Sequence, residues 1–173
     1  GPQRTKIAIE SIKNKNWDLE VLTGTECDIL NDGSLDYDDS VLEKVDWVVA
    51  SIHQNLNGDQ TERILKALEN PHINVLGHST GRKLLTREGY DVDWPKVFSK
   101  LLERDIALEI NGNPERLDVD ASIAKNASKS GVKLSLNTDA HSIKQLDFMK
   151  MAVNQARRAG LDSSFVLNSD YQI

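Results

Sequence analysis

Apolar residues along this chain fall into two alternating patterns. One is a short, nearly continuous apolar run, at residues 19–22, 47–52, 73–76, 106–110 and 132–136, with a shorter one at 165–167. Runs of this length suit strands covered on both faces, as in parallel sheets. The other pattern is helical. Asp59 or Thr61 caps a predicted helix that buries Ile64, Leu65 and Leu68. Asp93 precedes Trp94 and Pro95, a favourable helix start, and the segment behind them buries Val97, Phe98, Leu101 and Leu102. Residues 120–130 read as a helix stopped by Gly131. Ser142 opens the last helix, which sets Leu146, Met149, Val153 and Ala156 on one face and ends at Gly160. A weaker helix covers residues 39–44. Alternation of this kind predicts a parallel α/β fold.

The ligand-type residues fall in step with that alternation. Glu26 lies just past the first run, His53 ends the second, and His78 follows the third after Gly77. Asn111 ends the fourth, Asp139 follows the fifth, and His141 stands two residues further on. The intervals between strand ends are 27, 25, 33 and 28 residues, about one β/α unit each. Five successive strands thus each deliver one polar side chain at the carboxyl end, where β/α barrels build their active sites. Singly, each residue has an ordinary explanation: a hydrogen-bonded loop histidine, a loop acid, a turn-forming Asn111, or Asp139 as a helix cap. None of these explains the shared register, which favours a metal site. Mixed imidazole and carboxylate donors suit Zn²⁺, Mn²⁺ or Fe²⁺.

Composition narrows the picture. The 173 residues carry 21 Lys and Arg against 27 Asp and Glu, a net charge of −6. That balance argues against a broad basic nucleic-acid surface but allows an enzyme that grips one phosphate through metals. A single cysteine, Cys27, leaves no internal disulfide and no Cys-x-x-Cys zinc pattern, so a reducing cytoplasm is the expected compartment. Beside Glu26, Cys27 should face the opposite way and serve as a small buried hydrophobe. No apolar run approaches a membrane span. His72 precedes a strand and so lies on the opposite rim. The opening Gly1-Pro2-Gln3-Arg4 reads as a processing scar or a cut within a longer chain. A closed eight-fold barrel typically needs about 250 residues, more than this chain has.

Two loops add candidate substrate contacts. In residues 77–82 (GHSTGR), two glycines allow tight turns, and Arg82 could reach a phosphate with its planar fork. A loop arginine paired with a surface acid is the alternative. In residues 109–116 (EINGNPER), Asn111 could orient a ligand or water and Arg116 could contact substrate, or both could belong to a plain solvated turn. Lys83, Arg87, Arg157 and Arg158 read as solvated charges. Trp17, Trp47 and Trp94 are scattered, so core packing is favoured over a base-stacking platform.

The segments Gly24-Thr25-Glu26-Cys27-Asp28-Ile29, Ser51-Ile52-His53, residues 77–82, Glu109-Ile110-Asn111 and Asn137-Thr138-Asp139-Ala140-His141 occur in that order. Together they resemble the polymerase-and-histidinol-phosphatase (PHP) family of metal-dependent phosphoesterases. The Asp-Gly-Ser-Leu-Asp-Tyr stretch at 32–37 and Arg116-Leu117-Asp118 sharpen the likeness, which is greatest to the PHP domain at the C-terminus of bacterial X-family DNA polymerases. The resemblance covers residues 20 to 168. It implies a distorted seven-stranded, TIM-like β/α barrel whose trinuclear Mn²⁺ or Zn²⁺ centre hydrolyses phosphate esters. By position, Glu26 would bridge two metals and His53 and His78 would complete one site. Asp139 would serve a second metal and His141 a third, with Glu26 and Asp139 the catalytic carboxylates. Asn111 falls where relatives vary. The implied substrates are DNA 3′ ends, processed by a 3′–5′ exonuclease in DNA repair. A histidinol-phosphatase-like monoesterase on a small metabolite and a non-catalytic interaction module are the rivals.

The departures from that pattern shape the expectations. Family members begin with His-x-His on the first strand and carry further histidines soon after, and this sequence has only His53, His72, His78 and His141. Ser79 stands where a proline is expected, and the loop from Asn55 to Gln60 is short. The chain is therefore expected to be a single PHP-type domain over 1–173, incomplete at its N-terminus, with a polymerase domain possible upstream. It should hold at most one metal tightly and hydrolyse weakly. Open sheet edges should favour association or partial disorder.

Overall fold

The computed structural model describes residues 21–169. Trp17, the first half of the predicted run at 19–22, and the opening tetrapeptide lie outside the described residues. Five strands form one parallel sheet: β1 (Gly24–Asp28), β2 (Trp47–Ser51), β3 (Val75–Leu76), β4 (Ala107–Asn111) and β5 (Leu134–Asn137). They stand side by side in sequence order. Five α-helices connect or follow them: α1 (Asp39–Leu42), α2 (Thr61–Ala67), α3 (Trp94–Arg104), α4 (Ala121–Lys129) and α5 (Met149–Ala159). Parallel strands in sequence order joined by helices match the β/α repeat of a TIM-like barrel, where right-handed crossovers are the rule. A parallel bridge from Leu134 to Val166 extends the sheet beyond β5 where the run at 165–167 was read. The described residues thus show an α/β fold with one five-stranded parallel sheet, compatible with part of a TIM-like barrel.

The register sorts side chains between the faces. Cys27, Ala50, Leu76, Leu108 and Leu134 lie in one row across the sheet. All are buried and join the core that α3, α4 and α5 supply with Val97, Leu101, Ala124, Ala127 and Ala152. The alternate row faces the other way. A Cβ on Gly77 would collide with Val49 Cγ1 at 2.6 Å and with Ser51 Oγ, and would lie 3.5 Å from Glu109 Oε2. This second face is polar, carrying Glu26, Asp28, Ser51, Glu109, Asn111 and Ser135. Runs read as apolar on both faces thus carry buried polar groups such as Glu109 on the second face, beside Val49, Val75 and Ala107.

Most helix boundaries follow their caps. The Asp59 carboxylate accepts from Thr61 N–H at 2.9 Å, Asp93 from Lys96 N–H, and Asp120 from Ser122 and Ile123 N–H. Gly131 and Gly160 adopt the left-handed backbone that ends α4 and α5. Three expectations need correction. The first strand is β1 at Gly24–Asp28, so Glu26 lies within it rather than beyond it; backbone pairing with β2 overrides the turn-forming character of Gly24 and Thr25. Leu102 is half exposed, because α3 turns only Val97, Phe98 and Leu101 fully inward. The last helix begins as a 3₁₀ turn at Ile143–Phe148, which rotates Leu146 outward and leaves Ala152, Gln155, Ala156 and Ala159 as the buried face.

Candidate metal centre

Three consecutive strands bring Glu26, His53 and His78 together. Glu26 projects from β1. His53 follows β2 by two residues, and His78 follows β3 after Gly77, whose missing side chain leaves room beside Ser51 and Glu109. Glu26 Oε1 lies 3.0 Å from His78 Nε2 and 3.5 Å from His53 Nε2. The imidazole rings meet edge to face, 4.9 Å between centroids. One donor atom from each residue lies within 4.8 Å of the others. Donors about 2.0–2.2 Å from one tetrahedral ion stand about 3.4 Å apart, so the three residues fit a single divalent cation. His78 Nδ1 and Ser79 Oγ, both buried, have no hydrogen-bond partner among the described residues.

The electrostatics favour an anionic Glu26. Its partial burial works to raise its pKa, but the hydrogen bond from His78 and the charges of both imidazoles outweigh that and bring it down to about 2. Burial alone would depress His78, yet the bond to Glu26 and the nearby Glu109 raise it. Behind these groups, Glu109 accepts from His78 N–H at 2.5 Å and from the amides of Asn111 and Asn137 at 3.3 and 2.8 Å. Burial pushes the Glu109 carboxyl upward. Cys27, beneath Glu26, points into the core, and burial raises its thiol to about 12.

The remaining candidates form a neighbouring cluster. Asp139 Oδ2 is 3.4 Å from Asn111 Nδ2 and 3.6 Å from Arg116 Nε. His141, largely exposed, sets Nδ1 3.7 Å from Asp139 Oδ1. Neither Asp139 nor His141 belongs to the three-residue donor group. Arg82 turns its guanidinium to backbone: Nε donates to Arg116 O at 3.0 Å, Nη2 to Leu117 O, and Nη1 lies 3.8 Å from Asp120. It thereby ties the loop after β3 to the loop after β4. Arg87, read as a solvated charge, donates two hydrogen bonds to Gly81 O.

Four contributors have no role in the sequence reading, though Asp28, Glu109 and Asp118 fall within its quoted motifs. Asp28 accepts a hydrogen bond from His53 Nδ1. Glu109 braces the backbone of His78, and its place inside an apolar run was the one signal for it. Asp118, fully buried, binds Thr80. Arg63 donates to Ile29 O, Leu30 O and Gln54 O, the carbonyls just beyond Asp28 and His53. No helix of the described residues is long and apolar enough to cross a membrane.

No family model matches the chain. It is 40% identical over 164 residues to the DNA polymerase/3′-5′ exonuclease PolX of Bacillus subtilis, a stretch covering 93% of this chain and 29% of that protein. It is 35% identical to a probable phosphatase of Clostridium acetobutylicum, covering 77% of this chain and 57% of the relative. A probable phosphatase of Thermoanaerobacter is 31% identical, with 88% and 65% covered. The chain thus spans less than two thirds of each of these relatives.

Proposed function

We propose that this chain is a PHP-type metal-dependent phosphoesterase domain, acting on DNA 3′ ends as part of an X-family DNA polymerase. The observation that carries the reading is the Glu26–His53–His78 donor set, spaced for one ion, with Glu26 within β1 and the histidines just past β2 and β3. Likeness to a protein named as a 3′-5′ exonuclease supports the DNA substrate. A divalent ion such as Mn²⁺ or Zn²⁺ held there would polarise a phosphoryl oxygen and acidify water. The chain's own groups do the rest. Glu26 stays anionic at any physiological pH and supplies the negative charge that retains a cation. Arg116, with Nε 3.6 Å from Asp139, would contact a phosphoryl oxygen through its guanidinium. Asn111 and Asp139, beside it, would orient the ester or a further ion, with His141 at the rim. Arg82 supports the substrate loops through the backbone of Arg116 and Leu117.

The names of two relatives favour a second reading, a phosphomonoesterase acting on a small molecule. Elemental analysis with hydrolysis of a 3′-recessed DNA and of p-nitrophenyl phosphate separates the two. The expected result is one Mn²⁺ or Zn²⁺ per chain and a preference for the DNA end. A preference for the small ester would shift the assignment to the second reading. Loss of both metal and hydrolysis would overturn both and point to a non-catalytic interaction module.

A further inference from the structure

We propose that Asp28 is a positioning residue that fixes His53 in one tautomer, with the proton on Nδ1 and the lone pair of Nε2 turned toward Glu26. This rests on the metal reading above and adds a residue to it. The two imidazoles of the site are held in different ways. His78 is 2% exposed, and packing together with the Glu109 bond to its own N–H sets its orientation. His53 lies on a loop with its side chain 34% exposed, so packing, edge to face on His78, holds it less than His78 is held. Its Nδ1 is instead hydrogen-bonded to Asp28 Oδ1. An ionised carboxylate only accepts, so in a neutral ring the proton of that bond sits on Nδ1. Nε2, 3.5 Å from Glu26 Oε1, is then the donor atom. A carboxylate in this place also makes the imidazole a stronger ligand.

Asp28 is itself braced. Its N–H donates to Asp36 Oδ1 at 2.7 Å, and Asp36 N–H donates back to Asp28 O at 3.0 Å. Asp36 is held by a tight turn in which Asp32 Oδ1 accepts from Ser34 N–H at 3.0 Å and from Ser34 Oγ at 2.6 Å. Leu30 N–H closes that turn on Ser34 O at 2.8 Å. The Asp-Gly-Ser-Leu-Asp-Tyr stretch thereby acquires a physical task, which is to set the Asp28 backbone so that its side chain meets His53.

The test uses the chain with ¹⁵N-labelled histidine. In the metal-free protein at a pH where the ring is neutral, long-range ¹H–¹⁵N correlation should show His53 protonated on Nδ1 alone, and Asp28→Ala should move it toward the Nε2–H form. By calorimetry, Asp28→Ala should bind Mn²⁺ or Zn²⁺ about ten- to a hundredfold more weakly. Asp28→Asn keeps an acceptor oxygen and should recover most of that loss. A neutral wild-type His53 protonated on Nε2 would overturn the proposal, as would an Asp28→Ala chain that binds the ion as tightly as wild type. If Asp28→Ala does not fold, the wild-type spectrum and the Asp28→Asn affinity still decide. Should wild type bind no ion, the phosphoesterase reading fails, and the nitrogen spectrum alone decides for or against Asp28.

Discussion

Thr80 and Asp118, 38 residues apart, are joined by hydrogen bonds from the Thr80 N–H to both carboxylate oxygens at 3.2 and 3.1 Å and from Thr80 Oγ1 at 2.8 Å. The carboxylate is fully buried, so it closes the loop after β3 onto the loop after β4 away from solvent. Burial pushes its pKa above the ordinary 3.8, with the Thr80 bonds opposing. A raised acid favours the fold in its protonated form. That contribution is complete below the ordinary value and fades as pH climbs through the folded one. Urea unfolding across acidic to neutral pH should therefore show wild type losing stability relative to Asp118→Asn as pH rises. Parallel curves would contradict this.

Asp118→Ala leaves the Thr80 donors buried without an acceptor. Each such orphan costs about 1–3 kcal/mol, and the loss should show at every pH in the same urea titrations. A change within error would mean that water or another group replaces the carboxylate.

Arg63 bridges the segments carrying Asp28 and His53 through three backbone carbonyls and Gln60 Oε1. A lysine cannot reproduce that planar fork. Arg63→Lys should lower stability by about 1–2 kcal/mol and weaken ion binding measurably by calorimetry. Unchanged affinity would limit Arg63 to a structural role.

Gly77 precedes His78 in a space that admits no Cβ. Gly77→Ala should cost about 1–3 kcal/mol, as overpacked cores do, and should displace His78 from Glu26. Thermal unfolding reads the first effect and metal titration the second; a variant with wild-type values in both would mean the sheet relaxes freely there.

Among the donors themselves, Glu26→Gln and His78→Ala should each abolish tight binding of a single ion. Asp139→Asn should leave that binding nearly intact, since Asp139 pairs with Asn111 and Arg116 instead. Equal losses from all three would merge the two clusters into one centre.

Residues whose role is local were the ones legible in the sequence. Asp93 and Asp120 cap helices two or three positions ahead, and Gly131 and Gly160 end them by backbone conformation alone. His53 and His78 could be placed because each follows a strand at a fixed phase. Asp28, Arg63 and Asp118 could not, because His53, the carbonyls of Ile29 and Leu30, and Thr80 respectively lie 25 to 38 residues away and only the fold brings them close. The first strand was misplaced for a related reason: the partner strand, not the sequence near Gly24, makes that segment extended. Arg82 had two readings on sequence, and its bonds to two carbonyls show how it is engaged in the fold.

The three donors are carried by adjacent strands, Glu26 within β1 and the histidines just past β2 and β3, with Glu26 paired to Val49 and Val49 to Val75. A one-residue slip between parallel neighbours would send every side chain of the shifted strand to the opposite face. In a misaligned sheet, then, the carboxylate and the imidazoles could not converge. An ion captured early would reward only the native alignment of β1, β2 and β3, and so act as a proofreader of strand pairing while the chain folds.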